Sequence, residues 1–69
     1  MSALVEIARF STRIQADLAR LLIEDEGLTA VLFDGEVNYA FGSFMPVRLM
    51  VLREEAEQAL QLLSEQDML

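Results

Sequence analysis

The chain has no histidine, no cysteine, no lysine and no tryptophan. Each absence removes a class of chemistry. Histidine is the only side chain whose unperturbed pKa lies near neutrality, so the commonest general acid or base is missing. Without cysteine or lysine there is no thiolate nucleophile, Schiff base, phosphate-loop lysine or Cys/His zinc site. No run of about 18 apolar residues is present to cross a bilayer. What remains for chemistry is a set of carboxylates, five arginines, one tyrosine and a few hydroxyls. From this inventory the expected protein is not an enzyme and holds no cofactor and no metal.

Positive charge is also scarce: five basic residues face twelve acids, for a net charge of −7 and a pI near 4.2. Nucleic acids and anionic membrane surfaces bind through clustered Lys and Arg, so neither is an expected partner. Any long-range steering by the whole chain would favour a basic partner. Hydrophobic residues make up 54% of the sequence, with a mean hydropathy of +0.33. A domain of 69 residues buries only about 60% of the surface its unfolded chain exposes, and here neither a disulfide nor a Cys/His metal site can reinforce it. Oligomerisation is the usual remaining support. The opening residues Met1, Ser2, Ala3, Leu4, Val5 and Glu6 show no basic segment followed by an apolar stretch, so a cytoplasmic location is expected.

Hydrophobic periodicity divides the chain into five elements. Residues 4–10 alternate, with Val5 and Ile7 set against Glu6 and Ala8, and predict a first strand. The period then changes to that of a helix, with Ile14, Leu18, Leu21 and Leu22 forming the expected inward stripe. Thr12 and Gln15 have capping-box spacing, and Gly27 stands where a helix commonly stops. Residues 28–33 (LTAVLF), followed by Asp34 and Gly35, read as a second strand ending in a turn. After Pro46, the alternation of Val47, Leu49 and Val51 with Arg48, Met50 and Leu52 predicts a third strand. Glu54, Glu55 and Glu57 then suit the start of a final helix whose stripe is Ala56, Ala59, Leu60 and Leu63. Between residues 36 and 45, where Val37, Tyr39 and Phe41 alternate with Glu36, Asn38 and Ala40, strand and loop both remain open.

The expected architecture is a single βαββα domain over residues 1–69, an α+β two-layer sandwich of three or four mainly antiparallel strands with two helices on one face. Two helices cover one sheet face only. Strand parity nevertheless makes both faces apolar: Leu28, Ala30 and Leu32 against Thr29, Val31 and Phe33, and Val47, Leu49 and Val51 against Arg48, Met50 and Leu52. Unless Val37, Tyr39, Phe41, Phe44 and Met45 fold back over it as a lid, an uncovered apolar face of this kind marks an interface.

The stretch 46–63 (PVRLMVLREEAEQALQLL), together with the first strand, the helix ending at Gly27–Leu28 and the second strand, resembles a small bacterial family of unknown function labelled putative prokaryotic signal transducing proteins. That family is grouped with PII-like regulators. The resemblance implies a ferredoxin-like layer, often assembled with sheets inward and helices outward. PII proteins bind ATP between subunits and contact targets through a loop after the second strand. The segment in that place here, 34–46, has no basic residue and no glycine-rich phosphate cradle, so nucleotide binding is not implied.

Candidate interaction residues are Tyr39, Phe41, Phe44 and Met45, an aromatic and methionine set of the kind enriched at contact hot spots, and Arg48, Met50 and Leu52 on the second sheet face. Glu24, Asp25 and Glu26 point in different directions on a helix and read as a solvated end rather than a cation site. The function expected is a non-enzymatic regulatory or signal-transducing interaction module. It would self-associate through its sheet face as a dimer or trimer and offer 34–46 to a protein partner. The alternative is a sensor that binds a small metabolite or nucleotide at a subunit cleft, through Arg48 or Arg53.

Overall fold

The computed structural model describes residues 3–33 and 46–69. Its elements are β1 (Leu4–Phe10), α1 (Arg13–Asp25), β2 (Ala30–Phe33), β3 (Val47–Leu52), one 3-10 turn (Arg53–Glu55) and α2 (Ala56–Glu65). β3 is the central strand, antiparallel to β1 on one side and to β2 on the other. β1 and β2 are therefore parallel to each other across it, the split β-α-β arrangement of ferredoxin-like folds. With both helices packed on one side of the sheet, this is the expected α+β architecture in the order β-α-β-β-α. The segment 36–45, for which strand and loop were both open, lies outside the described residues.

α1 is delimited by side-chain and backbone chemistry visible in the sequence. Thr12, in extended conformation, accepts a hydrogen bond from the Gln15 N–H at 3.2 Å and satisfies one of the orphan donors of α1. Gln15 does not close the reciprocal half of a capping box; its side-chain oxygen accepts from the Ser11 hydroxyl at 3.4 Å. Thr12→Ala should cost about 1 kcal/mol and lower Tm by roughly 4–8 °C, read from thermal unfolding followed by circular dichroism.

At the other end Gly27 has φ +82°, its N–H donates to Glu24, and the Leu28 N–H donates to Ile23. That pair of bonds is a Schellman motif. It folds Leu28 back onto the core beside Ile23. α2 ends in the same way: Asp67 takes φ +61°, its N–H donates to Ser64, and the Met68 N–H donates to Leu63. Here an aspartate occupies the left-handed position that glycine fills in α1, and Met68 packs on the core as Leu28 does.

The buried core is Phe10, Ala16, Ala19, Ile23, Ala30, Val47, Leu49, Val51, Ala59 and Leu63. The parity of β3 is as expected, with Val47, Leu49 and Val51 inward. β1 corrects its own simple alternation. The register passes from Glu6 opposite Met50 to Ala8 opposite Leu49, leaving Ile7 as a bulge. A regular strand would have put Val5, Ile7 and Arg9 on one face. The extra residue resets the parity, so Phe10 turns into the core while Arg9 turns out.

The second correction concerns α1. Ile14, Leu18 and Leu21, expected to face the core, are 74%, 56% and 53% exposed, whereas Ala16, Ala19 and Ile23 are fully buried. The helix carries two apolar stripes about half a turn apart, and the one with small residues is packed against the sheet. Leu22, the fourth residue of the expected stripe, packs against the core edge. In α2, Ala59 and Leu63 are buried as expected, but Leu60 is left exposed. β2 begins at Ala30 rather than Leu28, because Leu28 is used to close α1.

Candidate interaction surface

The register defines which side chains share the sheet face that the helices leave uncovered. Leu4 lies opposite Leu52; Glu6 and Val31 flank Met50; Arg9 and Phe33 flank Arg48. Leu4 and Phe33 are exposed, and Val31, Met50 and Leu52 are half-buried. Three of the seven residues singled out from the sequence, Arg48, Met50 and Leu52, thus stand together on β3. The other four, Tyr39, Phe41, Phe44 and Met45, lie outside the described residues. Val31 and Phe33 complete the face and were legible from strand parity. Leu4 and Glu6 follow from the alternation of β1, whereas Arg9 does not, because its placement depends on the bulge at Ile7.

Arg9 and Arg48 face each other directly across the β1–β3 ladder, a repulsive placement for like charges. Glu6 resolves it. Its carboxylate accepts from the Arg9 Nε at 2.8 Å and lies 3.9 Å from the Arg48 Nη1. The hydrogen bond and the nearby negative charge both raise the Arg9 pKa above its ordinary value, so this guanidinium is charged at any pH the fold survives. The Arg48 guanidinium also sits over the Phe33 ring, 5.8 Å from its centroid, within cation–π range. The result is an apolar floor of Leu4, Val31, Phe33, Met50 and Leu52 with two arginines and one glutamate at one end. In a chain of net charge −7, the described residues of this face carry a local excess of positive charge.

Other described acids lie at the ends of the helices. Glu24 is engaged by Arg20 at 2.6 Å, and Asp25 and Glu26 are exposed at the end of α1. Glu55 stands at the start of the last helix, as expected, and its carboxylate also accepts the Thr29 N–H at 2.9 Å, which ties the start of α2 to the approach of β2. Among the described residues, no group of three or more metal-ligating side chains is placed to hold an ion, and no charged or polar residue is buried. The described surface therefore offers apolar area and a guanidinium pair, which are means of binding.

Fold and surface define a small α+β, ferredoxin-like layer in which, among the described residues, nothing covers one sheet face. The sequence matches the family model described as putative prokaryotic signal transducing protein over residues 4–67, and the chain belongs to that family. Its description is not that of an enzyme family. No curated protein and no solved structure matches the chain. Among the described residues, no helix is long and apolar enough to cross a membrane.

Proposed function

We propose that this chain is a small, non-enzymatic regulatory module of the cytoplasm that self-associates and acts by protein–protein contact, with the open sheet face as its working surface. The observation that carries the reading is the five-residue apolar floor, Leu4, Val31, Phe33, Met50 and Leu52, that neither helix covers. The occupant it fits is a protein segment that is apolar where it meets Met50 and Phe33 and acidic where it meets Arg9 and Arg48. The location of the arginines matters more here than net charge, which by itself pointed to a basic partner.

A second copy of the chain fits this face less well than such a segment. A two-fold axis lying across the strands at Met50 would set Arg48 against Leu52 of the copy, and one lying along β3 would set Arg48 against its own mate. In both placements a guanidinium is desolvated without a new carboxylate. Self-association is therefore better sought on another surface. The sensor reading keeps one supporting observation: Arg9 and Arg48 already converge on a single carboxylate, that of Glu6, as they would on the carboxylate of a metabolite.

The test compares proteins captured by the wild-type chain with those captured by Met50→Glu and Arg48→Glu. A specific partner should be lost from both variants, typically with affinity reduced 10-fold or more, while their melting profiles stay close to wild type. Partners captured equally by all three would sink the assignment of this face. Stabilisation of the isolated protein by a carboxylate metabolite, lost in Arg48→Glu, would favour the sensor.

A further inference from the structure

The outward stripe of α1 is apolar, exposed and bordered by ordered charge. Ile14, Leu18 and Leu21 point away from the sheet. About a quarter-turn to one side lie Arg13, Asp17, Arg20 and Glu24, all within about 60° of one another on the helical wheel. Within one helix they form a ladder: Arg13 to Asp17 at 3.5 Å, Arg20 to Asp17 at 3.6 Å and Arg20 to Glu24 at 2.6 Å. Read along the helix the signs are plus, minus, plus, minus, so reading backwards inverts every sign.

We infer that α1 is a homodimerisation helix, pairing antiparallel with α1 of a second copy about a two-fold axis near Leu18. Such an axis, perpendicular to the helix and lying between the two copies, keeps both charged flanks on the same side of the seam. Centred midway between residues 17 and 20, it sets Arg13 opposite Glu24 of the copy and Asp17 opposite Arg20 of the copy, with each contact made twice. The same centre governs the apolar row: Leu21 of the copy falls midway between Ile14 and Leu18, about 3 Å along the axis from each, and the two Leu18 side chains meet near the dyad. One register thus satisfies charge and shape together. A parallel pairing does neither, since it places the charged flank of one copy against the Gln15 and Leu22 flank of the other.

This inference supplies the surface for the self-association proposed above and does not depend on what binds the sheet. It also differs from the arrangement implied by the PII-like resemblance. The helices meet at the centre and the two open sheet faces point outward, so the dimer offers its working surface twice.

Sedimentation of the purified chain at tens of micromolar should show a dimer. Leu18→Glu should weaken it at least about 100-fold, because the position enters the interface twice, and should leave the melting profile of the subunit nearly unchanged. Arg20→Glu should weaken dimerisation. The exchange Asp17→Arg with Arg20→Glu should restore it, because the swap preserves every charge pair across the seam while setting like charges together within each helix. A merely intrahelical role predicts the opposite.

Since the chain has no cysteine, single substitutions give a second readout. Leu18→Cys should form an intersubunit disulfide. Ile14→Cys should not, its mate being about 13 Å away along the axis. A wild-type monomer overturns the inference, as does a dimer untouched by Leu18→Glu or an Ile14→Cys bridge. A dimer dissociated by Met50→Glu and not by Leu18→Glu also overturns it, and moves self-association to the sheet. Loss of a sheet-face partner with the dimer intact bears on the functional proposal alone.

Discussion

Leu49→Ala should lower the stability of the chain by about 2–5 kcal/mol, the largest effect expected of any single truncation here. Leu49 is fully buried at the middle of the central strand, with Ala8 and Leu32 as its cross-strand neighbours and the helix layer against it. Removing a leucine side chain from such a site costs about 2–5 kcal/mol, the transfer term plus the cavity left behind. Small domains hold roughly 0.05–0.15 kcal/mol per residue, so the whole stability of this one is on the order of 3–10 kcal/mol. A single substitution therefore removes about a fifth of it or more, and Tm should fall by about 10–30 °C. The site has little capacity to relax, since both flanking strands pair directly with β3. Thermal and urea unfolding followed at 222 nm provide the measurement. A shift below about 5 °C would contradict the placement of Leu49 at the centre of the core.

The second large effect comes from enlarging a small residue. Ala19→Leu should destabilise the subunit by about 1–3 kcal/mol, because a fully buried alanine on the sheet side of α1 has no room for three more carbons. One position earlier, Leu18→Ala should change subunit stability by less than about 0.5 kcal/mol, the range of exposed substitutions. This contrast inverts what hydrophobicity alone would predict, in which losing a leucine is costly and gaining one is harmless. The pair of urea titrations, run at concentrations low enough to avoid association, separates the two readings. Equal costs at both positions would mean that α1 is rotated from the orientation described here.

That contrast also shows where sequence reasoning succeeds and where it stops. The extents of α1 and β3 were legible because their punctuation is chemical: a threonine able to accept from the Gln15 N–H, a glycine at positive φ, and a proline before an alternating run. The rotation of α1 was not legible. Its two stripes, Ile14/Leu18/Leu21 and Ala16/Ala19/Ile23, both fit a 3.6-residue period, and the larger residues dominate any hydrophobic count. What decides between them is tertiary spacing, because β3 with Leu49 and Val51 already fills the layer and only alanines let the helix approach.

On the sheet, the parity of β2 and β3 placed Val31, Phe33, Arg48, Met50 and Leu52 together. The bulge at Ile7, set by the conflict between Arg9 and Phe10 over one core position, is a pairing property that no single strand announces. The Glu6 bridge between Arg9 and Arg48 follows from that bulge and was hidden with it. The bond from the Thr29 N–H to Glu55 was hidden for a related reason, since the two lie 26 residues apart.

The central position of β3 governs how the chain can fold. Every strand pair described here includes β3, and its pairs with β1 close separations from 37 residues (Phe10 to Val47) to 48 residues (Leu4 to Leu52). β1, α1 and β2 are made first and have nothing to add to until β3 arrives. Contacts so distant in sequence make folding slow relative to helical proteins of the same length. On a ribosome the described sheet has no partial form: until residue 52 has cleared the exit tunnel, the two outer strands are unpaired edges held near each other by a single helix.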